Sequence, residues 1–453
     1  MMKKIIPVGI IIALIILAPT PVFAVGSGGF ENASFSAKQL GTGAAVTATP
    51  DEPAAISYNP AGIADLPGVQ VQGNANFISM LTYKENNVTG NSRSTGTLSL
   101  VPTGYITINP GKIFQDKLGL GFGMDSPFGL STKYRSNDPA AQYTGYSNYL
   151  KMYALKPTIA YKFTDKISVG GGPMWYRVED FGGVQAYPVG AYGLGPTDGQ
   201  VRLNSSGNHW GWQLGTLIKL TPKHRFGYYF RSPVVVKTSG LGKVENSTAG
   251  FTANHNFETG IHTKLSLPMN MTWAYAYQPT PKTHYEADFT WSHWRTHKRL
   301  YWVVDPVANG TDNTVMNAIR NADKDWRDSF GIQVGASHKL TKKLTLRGGS
   351  WFYWTPIPYD HFSPAVPDSN HMAISLGAGY NINKYLTADL CYYNSFYFRR
   401  HISNPYVSGT YTTYSQAFTV SVTAHWDDIF PRAFGNKGVE AEAPSIDMPG
   451  VTK

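Results

Sequence analysis

The sequence has little cysteine, few charges and no long hydrophobic run after its first residues. Cys391 is the single cysteine among 453 residues, which excludes an intrachain disulfide and a cysteine-rich metal site. Charged residues make up only 15% of the chain, a low share for a soluble enzyme. Beyond the N-terminal leader, no stretch approaches the 18 or so apolar residues that a spanning helix needs. If the chain crosses a membrane, it must therefore do so as a closed barrel.

The charge that is present is basic, with a formal net charge of +10. No basic run, recognition helix or nucleic-acid motif accompanies it, so we expect no nucleic-acid partner. If the chain lies in an outer membrane, the lipid of that membrane and the phosphates of lipopolysaccharide are the expected anionic partners. No cofactor is expected.

Aromatic residues and glycine are abundant instead. The chain holds 28 Tyr, 22 Phe, 11 Trp and 46 Gly. This composition is typical of a sheet that has one face in lipid and aromatic girdles at two interfaces.

The first 24 residues read as a secretory signal peptide. Lys3 and Lys4 form a short positive region, an apolar core follows, and Val22-Phe23-Ala24 provides small residues at a cleavage site. The core is too short for a spanning helix, the alternative interpretation. The mature chain is expected to begin at Val25.

Period-2 alternation dominates the chain from residue 69 to residue 426, as in Gln416–Trp426. Long and short connections alternate between the segments, as they do in outer-membrane barrels with an even number of strands. We predict an all-β fold, a 14-stranded antiparallel transmembrane barrel with both termini on the short-turn side. Pro268 lies inside one long segment, which is counted as a single strand with a bulge. The predicted strands are Val69–Tyr83, Thr95–Ile108, Lys117–Ser126, Tyr149–Phe163, Lys166–Asp180, Asn208–Leu220, Lys223–Thr238, Glu258–Gln278, Thr283–Val303, Asp325–Leu340, Lys343–Trp354, His371–Tyr380, Tyr385–Phe398 and Tyr411–Trp426.

Two flanking segments lack this pattern. Residues 25–68 are rich in Gly, Ala, Ser and Asn and have no sustained period, so they cannot bury enough apolar surface to fold alone. They are predicted to form a hatch inside the barrel. Residues 427–453 are rich in Pro, Gly and Glu and are expected to be a disordered periplasmic tail.

Several motifs occur in an order that resembles one family. They are Gly29-Phe30, Ser36-Ala37-Lys38-Gln39-Leu40-Gly41, Asn59-Pro60-Ala61-Gly62, the Pro127-Phe128-Gly129 segment, Trp326-Arg327-Asp328 and Leu346-Arg347-Gly348-Gly349. The sequence resembles the outer-membrane long-chain fatty acid and hydrocarbon transport family (FadL/TodX type). The resemblance implies a non-enzymatic, passive transporter in the outer membrane of a Gram-negative bacterium, expected to be a monomer. Outer loops would capture the substrate, and a kinked third strand would release it sideways from a pocket beside the hatch.

Candidate site residues follow from this resemblance and from the strand pattern. Ligand contacts are assigned to Phe30, Phe128, Arg177, Lys324 and Arg327, of which the three basic residues are candidates for pairing with a carboxylate. The hatch motif is Asn59, Pro60, Ala61 and Gly62. The strand kink is assigned to Gly119, Gly121, Gly123 and Pro127, although small residues there could equally make room for the hatch.

Other functions remain open at this stage. A general aqueous porin is the main alternative, and an outer-membrane lipid hydrolase is a weaker one. His293 and His297 lie four apart on a predicted strand, but zinc needs three or four convergent ligands and no third is apparent. The sequence does not choose between fatty acids and aromatic hydrocarbons as substrate.

Overall fold

The computed structural model describes residues 28–86, 90–187, 199–245, 256–306, 321–404 and 407–426. The predicted signal peptide and the predicted tail lie outside these residues. No helix in the described ranges is long and apolar enough to cross a membrane.

The described chain is almost entirely antiparallel sheet. Its strands are β1 Val69–Glu85, β2 Ser92–Arg93, β3 Thr97–Ile108, β4 Leu118–Asp125, β5 Leu130–Lys133, β6 Ser147–Lys162, β7 Ile167–Tyr187, β8 Gly199–Lys219, β9 His224–Arg231, β10 Val234–Glu245, β11 Phe257–Leu267, β12 Asn270–Thr280, β13 Thr283–Ser292, β14 Arg299–Val304, β15 Asn321–Asp323, β16 Ser329–Lys339, β17 Leu344–Tyr353, β18 His371–Asn383, β19 Leu386–Tyr397, β20 Arg400–Ser403 and β21 Ser408–Trp426.

These segments form a closed barrel of 14 strands, as predicted. Five barrel strands consist of two segments in succession, namely β4–β5, β9–β10, β11–β12, β13–β14 and β19–β20, while β2 and β15 belong to the outer loops. The first strand closes the sheet by pairing with the last, from Val69 opposite Trp426 to Glu85 opposite Thr410. Pro268 separates β11 from β12, and the successive segments β10 and β9 pair with them along one line. The proline therefore interrupts one barrel strand and does not create a second.

The barrel has the two-faced pattern of a membrane protein. Outward positions carry apolar and aromatic side chains, such as Trp212 beside Phe230 near the outer edge and Tyr275 near the short turns. Inward positions carry buried polar side chains, such as Gln72 and Asn74. A polar interior and an apolar outer band are what a lipid-embedded barrel requires.

Some predicted boundaries differ from the structure. β7 continues to Tyr187 and β8 starts at Gly199, because their hairpin stays paired above the membrane, where no lipid-facing alternation reveals it. The predicted strand Thr283–Val303 is interrupted by a 3₁₀ helix, Trp294–Thr296. There the chain leaves the wall and buries Trp294 completely.

The N-terminal hatch, residues 28–68, lies inside the barrel. It contains one short α-helix, α1 (Ala37–Gly41), and two 3₁₀ helices, Pro53–Ser57 and Pro60–Asp65. Ser36 begins α1 by accepting a hydrogen bond from the Gln39 amide at 3.0 Å, the usual role of an N-cap serine. Outside the hatch, the 3₁₀ helix Gly111–Phe114 forms the turn between β3 and β4.

The hatch backbone touches the barrel wall at glycines. A Cβ atom added to Gly349 in β17 would lie 2.4 Å from the Gly43 amide nitrogen, and one added to Gly335 in β16 would lie 1.9 Å from the Thr42 carbonyl oxygen. Gly43 itself has a φ of +66°, which favours glycine. The inward glycines therefore allow the hatch to pack directly against the sheet.

Candidate functional site

A cavity of about 280 Å³ lies between the tip of the hatch and the outer loops. This volume is near the lower end of known ligand pockets, about 300 to 1,000 Å³. Its wall is mostly apolar and includes Phe30, Leu150, Phe181, Val201, Leu203, Leu265, Trp302 and Phe362. The extended hairpin of β7 and β8 supplies Phe181, Val201 and Leu203, so the paired strands above the membrane build one side of the cavity.

Five buried rings, here called the aromatic cluster, pack together on the hatch side of the cavity: Phe30, Phe128, Trp294, His297 and Trp326. Of these, Phe30, His297 and Trp326 line the cavity itself. The Phe30 ring centroid lies 4.8 Å from that of Trp294, 5.5 Å from those of His297 and Trp326, and 6.2 Å from that of Phe128. Edge-on contacts at such distances add to the stabilisation from burial. The hatch tip is therefore held against the outer loops by ring packing.

Gly29, the residue before Phe30, is also in close contact with the outer loops. The Gly29 amide donates to the Asp368 carboxylate at 2.9 Å. Gly29 has a φ of +63°, and a Cβ atom there would lie 2.6 Å from the Trp326 ring. Only glycine fits this approach.

Lys324 is the cation of the cavity wall. It follows β15, lines the cavity and is partly buried. Among the described residues it has no carboxylate partner, although Asp323 and Asp325 flank it in sequence. Burial lowers the pKa of its ammonium group to about 8.

His297 and Trp326 add polar atoms to the same wall. The His297 Nδ1 and the Trp326 Nε1 are buried and have no hydrogen-bond partner in the described part of the chain. Burial, and then the nearby charge of Lys324, lowers the pKa of His297 to about 3, so its ring is neutral at physiological pH. The cavity thus combines a long apolar wall with a polar end, which holds the Lys324 cation and these two polar groups without partners among the described residues. The Asp323 carboxylate also lines the cavity, but it accepts a hydrogen bond from the Tyr301 hydroxyl at 2.9 Å and lies 3.4 Å from Arg299.

The other predicted ligand contacts are placed differently. Phe128 is fully buried beneath Phe30, with the Arg231 guanidinium 4.6 Å from its ring centroid. Arg177 alternates with the buried Tyr176 and Val178 and so faces outward from β7. Arg327 is exposed, and its amide donates to the Pro356 carbonyl at 2.8 Å. Neither of these arginines lines the cavity, so of the three predicted basic contacts only Lys324 is placed to meet a ligand there.

The third barrel strand is interrupted beside the aromatic cluster. β4 ends at Asp125 and β5 begins at Leu130. β4 pairs with β3 on one side and with β6 on the other, whereas β5 pairs with β6 alone among the described strands. Residues 126–129 leave the ladder and turn to the hatch, where the Asn32 amide donates to the Pro127 carbonyl at 2.9 Å and the Gly129 amide donates to the Phe30 carbonyl at 3.0 Å. The hatch tip therefore occupies hydrogen-bonding positions that a neighbouring strand would otherwise fill.

The three glycines assigned to the kink lie below this interruption, in a paired part of β4. A Cβ atom at Gly119 would lie 2.5 Å from the Ile63 carbonyl oxygen, and one at Gly121 would lie 2.8 Å from the Ile56 side chain. A Cβ atom at Gly123 would lie 2.8 Å from the Tyr105 ring of β3 and 3.0 Å from the Ile56 side chain of the hatch. Their immediate structural effect is to make room for the hatch, whereas Pro127 lies within the interruption itself.

The hatch motif, residues 59–62, begins the 3₁₀ helix Pro60–Asp65 and holds it in place by hydrogen bonds. Asn59 Oδ1 accepts from the Ala61 amide at 3.2 Å, while its Nδ2 donates to the carbonyls of Thr47 at 2.7 Å and Thr216 at 3.0 Å. Pro60 occupies the first helical position, where its missing N–H costs nothing. At Gly62 a Cβ atom would lie 2.1 Å from the Pro50 carbonyl oxygen.

A buried ion pair below the aromatic cluster was not predicted from the sequence. The Arg231 guanidinium, at the end of β9, pairs with the Glu31 carboxylate of the hatch, and both side chains are only 4% exposed. Ser292 Oγ and Asn270 Nδ2 also donate to Glu31, at 3.0 and 3.2 Å. A charged residue at an inward position of a strand could have indicated this partner.

The two histidines do not share a strand face as predicted. The 3₁₀ helix lies between them, so His293 is half-buried beside Asp328 at 3.0 Å while His297 lies in the aromatic cluster. Among the described residues no group of three or more His, Cys, Asp or Glu side chains is arranged to hold a metal.

Sequence comparison identifies the family. The family profile described as "Outer membrane protein transport protein (OMPP1/FadL/TodX)" matches residues 22–426. The chain belongs to this OMPP1/FadL/TodX family. Its barrel accordingly lies in the outer membrane, and the curated relatives named below are transport and outer-membrane proteins.

Relatives in this family span most of the chain. The long-chain fatty acid transport protein of Escherichia coli is 25% identical over 400 residues, covering 80% of this chain and 86% of that protein. Outer membrane protein P1 of Haemophilus influenzae is 24% identical over 419 residues, with 80% and 84% covered.

Solved structures show the same fold. A Pseudomonas aeruginosa FadL homologue superposes with a TM-score of 0.77 at 18% identity, covering 87% of this chain and 99% of that one. The Pseudomonas putida toluene transporter TodX gives a TM-score of 0.65 at 16% identity, covering 90% and 100%.

Proposed function

We propose that this FadL/TodX-type protein carries long-chain fatty acids passively across the outer membrane. The observation that carries the proposal is Lys324, a cation that has no carboxylate partner in the described part of the chain and lies at one end of an apolar cavity. A fatty acid has the matching chemistry, because its chain needs an apolar wall and its carboxylate needs a positive charge.

The energetics favour such a cavity over an open pore. Each methylene gains roughly 0.8 kcal/mol when it leaves water for an apolar site, and a watery channel offers no such gain. The hatch fills the lumen with buried side chains, including Ile56, Ile63 and Tyr58. A substrate would therefore move from the outer loops into the cavity, with its carboxylate at Lys324 and near the unpaired groups of Trp326 and His297.

Release would then proceed sideways through the interruption between β4 and β5. Phe30 both lines the cavity and accepts the hydrogen bond from Gly129, so displacing Phe30 would also loosen residues 126–129. The buried pair of Glu31 and Arg231 directly follows Phe30 and gives the hatch a defined closed position. Hatch movement and opening of the wall are in this way parts of one step, driven by the concentration gradient alone.

Among the named relatives, one is a long-chain fatty acid transport protein and another is a toluene transporter. Lys324 favours the first substrate class here, because toluene offers nothing for an ammonium group to pair with. Neutral hydrocarbons remain possible occupants of the apolar wall alone.

The test is uptake of labelled oleate and of toluene by cells with and without the gene. We expect faster oleate uptake with the gene and a reduced gain when Lys324 is replaced by Met. If neither compound enters faster, the transporter proposal fails. Large, steady ion currents in planar bilayers would instead support the porin alternative, because a barrel closed by its hatch conducts little.

A further inference from the structure

A second, larger cleft lies on the outer surface of the barrel, away from the lumen. It has a volume of about 1,140 Å³ and is bordered by β10, β11 and the segment around β14. Five exposed cationic side chains line it: Lys237, Lys264, Arg295, Lys298 and Arg299. We call it the basic cleft.

Two of these cations face each other directly. Lys237 in β10 is the register partner of Lys264 in β11, and both point outward. Like charges in directly opposite positions destabilise a sheet unless an anion lies between them. Neither lysine has an ion-pair partner among the described residues, and the same holds for Lys298.

The acidic groups around the basic cleft lie beside its two arginines and beside histidines, and none of them pairs with Lys237, Lys264 or Lys298 among the described residues. Asp323 lies 3.4 Å from Arg299, Asp328 lies 3.9 Å from Arg295 and 3.0 Å from His293, and Asp305 lies 3.3 Å from His262. Asp325 lines the cleft but lies 3.6 Å from His361. The three lysines therefore retain an excess of positive charge.

The height of the cleft relative to the membrane suggests the ligand. Phe230 faces outward seven residues before Lys237 in the same barrel strand and packs on Trp212 at 4.6 Å. Val235, 44% exposed, is the last apolar outward residue before Lys237. Because strands rise about 3.3 Å per residue, Lys237 lies only about 7 Å beyond Val235 along the strand, at the outer end of this apolar face. The long connections are on this side, which makes it the outer leaflet.

We propose that the basic cleft binds the phosphate groups of the lipid A portion of lipopolysaccharide. Lipid A carries two phosphates above several acyl chains, so its phosphates would meet the lysines while its chains lie on Phe230 and Val235. Lysine suits this role because it binds phosphate as a flexible point charge. This site is separate from the cavity and does not depend on the proposed transport function.

The test uses the full-length protein purified in detergent, with bound lipid measured by native mass spectrometry. The variant is Lys237→Gln/Lys264→Gln/Lys298→Gln. Since each basic residue at an anionic lipid surface contributes about 1 kcal/mol, roughly fivefold, we expect affinity for diphosphoryl lipid A to fall on the order of a hundredfold. The matched control is Lys223→Gln/Lys282→Gln/Lys342→Gln, which removes three exposed lysines from the short turns.

Binding measurements with four ligands distinguish lipid A from other phosphates. We expect diphosphoryl lipid A to bind more tightly than monophosphoryl lipid A, phosphatidylglycerol or inorganic phosphate. The proposal is overturned if both triple variants lose lipid A equally, if the first variant loses none, or if phosphatidylglycerol binds as tightly as lipid A. Heat-modifiable migration on gels confirms that each variant is folded before binding is compared.

Discussion

Replacing Lys324 by Met tests the assignment of the carboxylate site most directly. The substitution keeps an unbranched chain of similar length in the cavity wall and removes the charge. A hydrogen bond to a charged group contributes about 1.5 to 3 kcal/mol, so affinity for laurate or oleate should fall roughly 10- to 150-fold. Affinity for a neutral ligand such as toluene should be unchanged, because it makes no use of the ammonium group.

The pH dependence gives a second, sharper signature. The Lys324 pKa is lowered by burial to about 8 in the free protein, and a bound carboxylate would raise it again. Fatty acid binding should therefore be strongest below pH 8 and weaken about tenfold per pH unit above it, up to the pKa of the complex. The Lys324→Met variant should lose this dependence between pH 8 and 10.

The assay is titration of the detergent-solubilised protein with a fluorescent fatty acid, followed by displacement with laurate. Arg327→Met is the matched control, because it removes a neighbouring positive charge that is exposed and outside the cavity. The reasoning is refuted if Lys324→Met binds laurate as the wild type does, or if Arg327→Met weakens binding and flattens the pH profile to the same degree.

Two further predictions concern the hatch. Gly349→Ala should displace the hatch, because the new Cβ would meet the Gly43 nitrogen at 2.4 Å, and overpacking of this kind costs about 1 to 3 kcal/mol. At the neighbouring Gly348 the nearest atom is 3.7 Å away, so Gly348→Ala is the control. Gly349→Ala but not Gly348→Ala should therefore raise the ion conductance of the protein in planar bilayers. Phe30→Ala should remove the centre of the aromatic cluster, speed hydrogen exchange in residues 28–35 and slow oleate uptake. The lipid-facing Phe226→Ala, at a position 44% exposed, should leave both unchanged, and equal effects of the two Phe variants would contradict the role of Phe30.

The barrel was predictable from sequence because lipid imposes a simple rule on each spanning strand. Within the membrane most outward residues are apolar and most inward ones are small or polar, as in Phe418–Trp426, so alternation and loop lengths together give the strand number. The rule ends at the membrane surface. Above it both faces of β7 and β8 meet protein or water, and their extension to Tyr187 and Gly199 left no periodic signal.

The site was predictable only in part. Phe30 and Lys324, which were predicted to contact the ligand, line the cavity, while Arg177 faces outward. Ligand contact itself stays a prediction for both residues. A basic residue near a strand end can point either way, and Arg177 faces outward because it alternates with the buried Tyr176 and Val178. His297 and Trp294 were unpredictable for a related reason, since they depend on the chain leaving the wall after Ser292.

The hatch leaves the ribosome before the barrel residues with which it forms hydrogen bonds. The Ala37 amide donates to Ser421 Oγ at 2.7 Å, the Thr47 amide to the Asp288 carboxylate at 3.1 Å, and the Gly29 amide to Asp368. None of these bonds can form before strands more than 200 residues downstream are in the sheet. The segment must therefore stay unfolded through export and order itself only as the barrel closes. The final step of barrel assembly thus also seals the lumen. A barrel whose first and last strands fail to pair should therefore let ions through its lumen.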